Sequence, residues 1–268
     1  MIAIIEIYLE LVSHVSHVDY PPQMVCYERG GNKVTVLLFV VTLLFASILQ
    51  TSTGFGFSIM ATPFLLLIFE PREAIQINLV LSLVISLALI RKIRTDVDIG
   101  ILKRFIIGSL PGLPIGILIF LLVDIGNLKI GIGVVILVLT LLLILNFRLK
   151  TTKRRDYYVG GVSGLLTTGI GMPGPPLLLY FSGTGTPKAQ LRATTLAFYL
   201  FIYSISLVVQ VIFAGTTKTV WTSSGMGLPL VILGLYFGQR LFHRTNQTYF
   251  RVFTYVILLF TGMYLVIQ

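Results

Sequence analysis

The chain has 268 residues, of which 56% are hydrophobic and 11% are charged, and its mean hydropathy is +0.94. Soluble domains carry about 25% charged residues, so this composition excludes a soluble globular protein, and several separate apolar runs indicate repeated membrane crossings. The formal net charge is +10, but the basic residues lie in short loops between apolar runs. That distribution is a membrane topology signal and excludes a nucleic-acid-binding stripe. The single cysteine, Cys26, excludes an internal disulfide and a multi-cysteine metal site.

Residues 1–34 are predicted to form a helix on the membrane surface, followed by a polar lead-in. Apolar residues recur there at helical spacing, while Glu6 and Glu10 interrupt the run and argue against a cleaved signal peptide. His14 and His17 are placed to share one helix face, but no third ligand lies nearby. We therefore predict solvated histidines and no metal site.

Ten apolar runs follow, five in each of two predicted transmembrane repeats that cover residues 35–147 and 157–268. The runs lie at 35–50, 57–69, 75–90, 105–123 and 128–147, and at 157–170, 174–182, 193–215, 220–238 and 249–267. A spanning helix needs about 20 residues, so the first two runs of each repeat are predicted to be too short. Each short pair forms either two tilted helices or a hairpin that turns within the membrane. Both alternatives return the chain to the side from which it entered.

A polar, glycine-containing stretch joins the two short runs of each repeat. The first break, residues 51–58, reads TSTGFGFS, and the second break, residues 167–175, reads TTGIGMPGP. Two such breaks at corresponding places of two halves indicate the substrate site of a transporter. The fold predicted from these patterns is an all-α polytopic membrane protein with two inverted repeats of five segments each.

The distribution of lysine and arginine predicts the orientation. Most of the 20 basic residues fall in loops 91–104 and 148–156, at 188–192 and near the last turn. The positive-inside rule places these loops in the cytoplasm and both termini outside. The first repeat then starts outside and the second starts inside, which is the inverted topology of many secondary transporters.

Four features at these positions resemble the TauE/SafE family of membrane carriers, named for sulfite and organosulfonate export. They are Gly54-Phe55-Gly56-Phe57 with Pro63, the Gly160–Gly164 run leading into Gly169-Ile170-Gly171, Leu191-Arg192-Ala193-Thr194, and the Gly-x-x-x-Gly pairs Gly112/Gly116 and Gly234/Gly238. The resemblance covers about residue 35 to the end. It implies a multi-pass carrier in the cytoplasmic membrane that moves a small anion, often a sulfur oxyanion or sulfonate.

The residues themselves also favour an anion. No Asp or Glu lies inside any apolar run, which argues against the buried carboxylates of a cation carrier. Helix N-termini offer free N–H groups and about half a positive charge, so the helices beginning after Gly56 and Gly174 are predicted to hold the anion at the bilayer midplane. The candidate substrate-binding residues are Gln50, Thr51, Ser52, Thr53, Gly54, Gly56, Ser58, Asn78, Thr167, Thr168, Gly169, Gly171, Gly174, Arg192 and Thr194.

Other roles are weighed against this one. The two Gly-x-x-x-Gly pairs are interpreted as helix-packing sites, and Tyr199 as a packing residue. Arg192 either neutralises substrate at the cytoplasmic mouth or anchors the chain at the membrane surface. No metalloprotease, serine-hydrolase or paired-carboxylate motif is present, so we expect no enzyme, no catalytic residue and no cofactor. An anion channel and a non-transporting scaffold or receptor component remain the alternatives.

Overall fold

The structure is a computed structural model that describes residues 31–145, 152–182 and 184–242, with isolated positions between 256 and 267. These residues form helices and no strand, which confirms the predicted all-helical class. The helices are α1 Gly31–Thr53, α2 Phe57–Leu65, α3 Pro71–Ile93, α4 Ile99–Ser109, α5 Gly112–Leu122, α6 Ile125–Ile144, α7 Lys153–Ile170, α8 Gly174–Ser182, α9 Lys188–Ala214 and α10 Lys218–Phe242. The predicted surface helix with its histidines and Cys26 lies outside the described residues, as does most of the last apolar run.

Among the described residues, four helices are long and apolar enough to cross a membrane, within Val34–Thr53, Pro71–Asp96, Lys188–Ala214 and Lys218–Leu241. A fifth crossing is possible if α4 and α5, which are bent by 47° at their junction, form one broken span. The sequence predicts a single run at 105–123, but Pro111 at the junction has no N–H to continue the helical hydrogen bonds. The chain is thus a multi-pass membrane protein.

The prediction that the first apolar run is too short to cross is wrong. Helix α1 has 23 residues, and its apolar part, Val34–Thr53, has 20. The polar residues at its end continue the helix, since the Ser52 and Thr53 hydroxyls donate to the Leu49 carbonyl at 3.2 and 2.7 Å. Helices α2 and α8 have nine residues each, about 14 Å at 1.5 Å per residue, and are short as predicted.

The two Gly-x-x-x-Gly pairs pack against helices of the opposite half. Helix α5 lies along α7, and α10 lies along α1. A Cβ atom added to Gly116 would lie 2.5 Å from the Leu165 carbonyl oxygen, and one added to Gly238 would lie 2.8 Å from the Ile48 carbonyl oxygen. Only glycine permits such close backbone approach. The predicted packing role of both pairs is confirmed.

Three side-chain contacts gather the basic loops at one end of the bundle, which we call the basic end. They are Lys92–Gln239 at 2.8 Å, Gln190–Asp98 at 3.0 Å and Arg104–Asp156 at 2.5 Å. At the opposite end the Thr217 hydroxyl donates to the Glu73 carboxylate at 2.7 Å. Helices α3 and α10 therefore run toward the basic end, whereas α4, α7 and α9 start there.

Candidate functional site

The first break ends α1 and starts α2 within three residues. Gly54 has φ +89° and Gly56 has φ +149°, conformations that side chains with a Cβ atom rarely adopt. Helix α2 then begins at Phe57 without any side-chain cap. The N–H groups of Phe57, Ser58 and Ile59 fall in its first turn and have no intrahelical acceptor. The first break thus presents a row of backbone donors.

The second break is built differently. Gly171, at φ +73°, closes α7 by donating its N–H to the Thr167 carbonyl at 2.8 Å, a left-handed helix ending that suits glycine. Helix α8 begins at Gly174, and its next two residues, Pro175 and Pro176, have no N–H group. Proline is favourable in the first turn of a helix, but here it removes two of the donors that α2 retains.

The starts of α2 and α8 meet inside the bundle. The two helices are in contact, and a Cβ atom added to Gly174 would lie 3.0 Å from Ile59 Cδ1 and 3.1 Å from the Tyr199 hydroxyl oxygen. Ile59 belongs to α2 and Tyr199 to α9. Both side chains are buried, at 1% and 0% exposure. Two helix starts and one tyrosine hydroxyl therefore converge in the protein interior.

Each break is also contacted by the long third helix of the opposite half. From α3, the Asn78 side-chain amide donates to the Gly171 carbonyl at 2.7 Å. From α9, Arg192 packs on the first break, with its Cα atom 2.8 Å from the position of a Cβ atom on Gly54. Arg192 is 7% exposed, so it is buried beside the break and does not lie in solvent as a surface anchor would.

The predicted site residues near the helix starts fall into two groups. Gly54, Gly56 and Ser58 lie at the start of α2, with Arg192 against Gly54, and Gly171 and Gly174 lie before and at the start of α8, with Asn78 bonded to Gly171. Several predicted hydroxyls instead bond within the bundle. The Thr53 hydroxyl contacts the Phe55 carbonyl, the Thr167 hydroxyl donates to the Ser163 carbonyl, and the Thr168 hydroxyl lies 2.9 Å from that of Ser206. Ser52 bonds back into α1, as described above.

The remaining predicted residues lie on packing faces or near the basic end. Thr51 packs against α10 and Gly169 against α5. The Gln50 side chain donates to the Ser82 carbonyl at 3.2 Å, between α1 and α3. The Thr194 hydroxyl accepts the Asp98 N–H at 2.9 Å, in the loop before α4. None of these contacts places the side chain at the meeting helix starts.

One buried carboxylate lies near the basic end. Asp156, in the first turn of α7, is 2% exposed. It accepts hydrogen bonds from the Arg104 Nε at 2.5 Å and from the Tyr180 hydroxyl at 2.6 Å. The guanidinium offsets the carboxylate charge, as buried ions require. The described residues contain no cluster of three or more histidine, cysteine or acidic side chains suited to a metal ion.

Two buried tyrosines lie near the helix starts, and the sequence interpretation named only Tyr199, as a packing residue. Tyr199 and Tyr203 lie one turn apart on α9, both at 0% exposure, with ring centroids 4.9 Å apart. The Tyr203 hydroxyl donates to the Ser58 hydroxyl at 3.4 Å, whereas the Tyr199 hydroxyl has no hydrogen-bond partner among the described residues. The available signal was a pair of phenols inside an apolar run, since buried tyrosine hydroxyls usually find a partner.

A family model described as Sulfite exporter TauE/SafE matches residues 38–265. The match covers both breaks, both Gly-x-x-x-Gly pairs and nearly the whole chain. No match is found among curated proteins or among solved structures. The resemblance seen in the motifs is confirmed, and with it the expectation of a membrane transporter and not an enzyme. The chain belongs to the sulfite exporter TauE/SafE family.

Proposed function

We propose that this protein is a secondary transporter that exports a small sulfur oxyanion or sulfonate across the cytoplasmic membrane. The anion is held near the bilayer midplane between the starts of α2 and α8. The observation that carries this proposal is the approach of Ile59 Cδ1 and the Tyr199 hydroxyl oxygen to 3.0 and 3.1 Å from the position of a Cβ atom on Gly174. Helix starts that meet in a buried place offer unpaired donors and positive dipole ends to a negative ligand.

The charges around the breaks support an anion over a cation. Neither break contains an acidic residue. The nearest cationic side chain, Arg192, is buried against the first break at 7% exposure. The buried carboxylate of Asp156 is paired with Arg104, so it offers no free negative charge to a metal cation. A small oxyanion satisfies both the backbone donors and the local charge.

We infer further that residues 35–147 and 157–268 are inverted repeats that move against each other around this site. Glycine contacts show that α1 runs parallel to α10, and α7 parallel to α5. Since α10 starts at the opposite end and α7 at the basic end, the two halves enter from opposite sides. The two glycine pairs also contact corresponding positions of the other half, Ile48 in α1 and Leu165 in α7. Ile48 lies six residues before Gly54, and Leu165 lies six residues before Gly171, the glycines that follow these two helices.

The test is flux in proteoliposomes that contain the full chain. Sulfite and methanesulfonate are loaded separately, with protein-free liposomes and chloride loading as controls. We expect protein-dependent efflux of at least one sulfur anion, saturating with concentration. Flux that rises linearly without saturation would instead identify an anion channel. Absence of flux for both anions, from protein that is folded by its melting profile, would favour the non-transporting alternative.

A further inference from the structure

The two helix starts that meet are chemically unequal. Helix α2 presents the amides of Phe57, Ser58 and Ile59 in its first turn. In α8 the corresponding turn contains Pro175 and Pro176, so the Gly174 N–H is the only amide donor among its first three residues. An anion between the two helices therefore has several donors on one side and a shortage on the other.

The Tyr199 hydroxyl lies where the amides are missing. Its oxygen is 3.1 Å from the position of a Cβ atom on Gly174, and the side chain is 0% exposed. It has no hydrogen-bond partner among the described residues. One turn away, the equally buried Tyr203 hydroxyl bonds to Ser58. Leaving a buried hydroxyl unpaired is unfavourable, so the arrangement indicates a ligand atom at this position.

We propose that the Tyr199 hydroxyl donates a hydrogen bond to one oxygen of the transported anion and replaces the amides that the α8 prolines lack. This inference rests on the proposed function. Donors then reach the ligand from two directions, the α2 amides on one side and Tyr199 with the Gly174 N–H on the other. Such a site favours an anion with at least two terminal oxygens over a halide, because each oxygen can accept from its own group of donors.

Two phenylalanine variants test the role of the hydroxyl, since the chain offers a matched control one turn away. Y199F and Y203F each remove one buried hydroxyl from α9. Sulfite, methanesulfonate and chloride are titrated calorimetrically into the purified full-length protein and both variants. A hydrogen bond to a charged acceptor corresponds to roughly a tenfold or larger change in affinity, so Y199F is expected to raise the Kd for sulfite about tenfold or more. Y203F is expected to change the Kd for sulfite by less than about twofold. Chloride is expected to bind to the unmodified protein more weakly than sulfite does.

The melting temperature without ligand gives a second readout. Y199F removes an unpaired hydroxyl, so its melting temperature should equal or exceed that of the unmodified protein. Y203F breaks the bond to Ser58 and should melt lower. A Y199F protein that melts as low as Y203F would show that the hydroxyl already has a partner within the protein, and would overturn the inference.

The outcomes separate this inference from the function on which it rests. If the unmodified protein binds sulfite and Y199F binds it equally well, the role of Tyr199 is wrong while the transport function stands. If the unmodified protein binds chloride as tightly as sulfite, the claimed selection for oxyanions is wrong. If it binds neither sulfite nor methanesulfonate, the proposed function fails, and the inference fails with it.

Discussion

Replacing the glycines at the two inter-half contacts by alanine should destabilise the protein by similar amounts. In G116A the new methyl group would lie 2.5 Å from the Leu165 carbonyl oxygen, and in G238A it would lie 2.8 Å from the Ile48 carbonyl oxygen. Both clashes involve backbone, so no side-chain rotation relieves them and the helices must separate. Overpacking costs about 1–3 kcal/mol, offset by about 0.5–1 kcal/mol from the better helix propensity of alanine. We therefore expect a net loss of roughly 1–2 kcal/mol for each variant.

The control is G131A, because a Cβ atom on Gly131 in α6 meets nothing within 4 Å. Thermal unfolding of the three purified variants in one detergent is the assay. For a chain of this size, 1 kcal/mol shifts the melting temperature by about 2–4 °C. G116A and G238A should therefore melt several degrees lower, while G131A should melt at or above the unmodified protein. If G116A and G238A melted as G131A does, the close reciprocal contacts described here would be wrong.

Three further predictions concern the ends of the bundle and the second break. D156N should lower the melting temperature because it leaves the Arg104 guanidinium without its counter-charge. R104Q in the D156N background should recover part of that loss. If the losses of the two single variants instead added up in the double variant, the pairing would be contradicted. N78L removes the amide that bonds to the second break. It should clearly raise the KM for sulfite efflux and change the melting temperature only slightly. An unchanged KM would show that Asn78 is not part of the site. Cysteines replacing Lys92 and Gln239, in a background without the native cysteine, should be joined by a flexible bis-maleimide that spans the length of the two original side chains. A mass-spectrometric map detects the cross-link, and its absence would contradict the shared basic end.

Much of the fold follows from the sequence because apolar length and charge placement are local signals. Within residues 31–242, the ten α-helices coincide with nine of the predicted apolar runs, the fourth run giving both α4 and α5. The break in that run was marked by Pro111 but not predicted. The length of α1 was underestimated because Ser and Thr side chains can bond to preceding carbonyls and stay helical. Polarity alone does not show where a membrane helix ends.

The candidate site was predicted less completely than the fold. Positive-φ glycines and helix starts were visible as glycine-rich breaks, so Gly54, Gly56 and Gly171 were found. Hydroxyl direction was not visible, since a threonine on a broken helix can face a neighbouring helix as Thr51 does. Tyr199 was interpreted as a packing residue because its hydroxyl approaches Gly174, on a helix distant in the sequence, and the sequence does not show that approach. Contacts between helices that are far apart in the sequence leave no periodic pattern of residues from which they could be predicted.

The most direct test of the central claim compares alanine at two glycines that both have a positive φ. Gly171 in the second break has φ +73° and ψ 15°, a left-handed helical conformation, whereas Gly215 in the α9–α10 loop has φ +75° and ψ −173°, with nothing within 4 Å of a Cβ atom. Alanine at Gly171 incurs about 1–2 kcal/mol of backbone strain, and alanine at Gly215 incurs about 1–3 kcal/mol because its conformation is almost restricted to glycine. Only at Gly171 does the methyl group press on Asn78 and Ile75, at 3.1 and 3.2 Å. Sulfite efflux from proteoliposomes should fall roughly tenfold or more in G171A, as a distortion of about 1.4 kcal/mol at the site implies, and stay near normal in G215A. Equal flux in the two variants would contradict the claim that the meeting of the two breaks forms the substrate site.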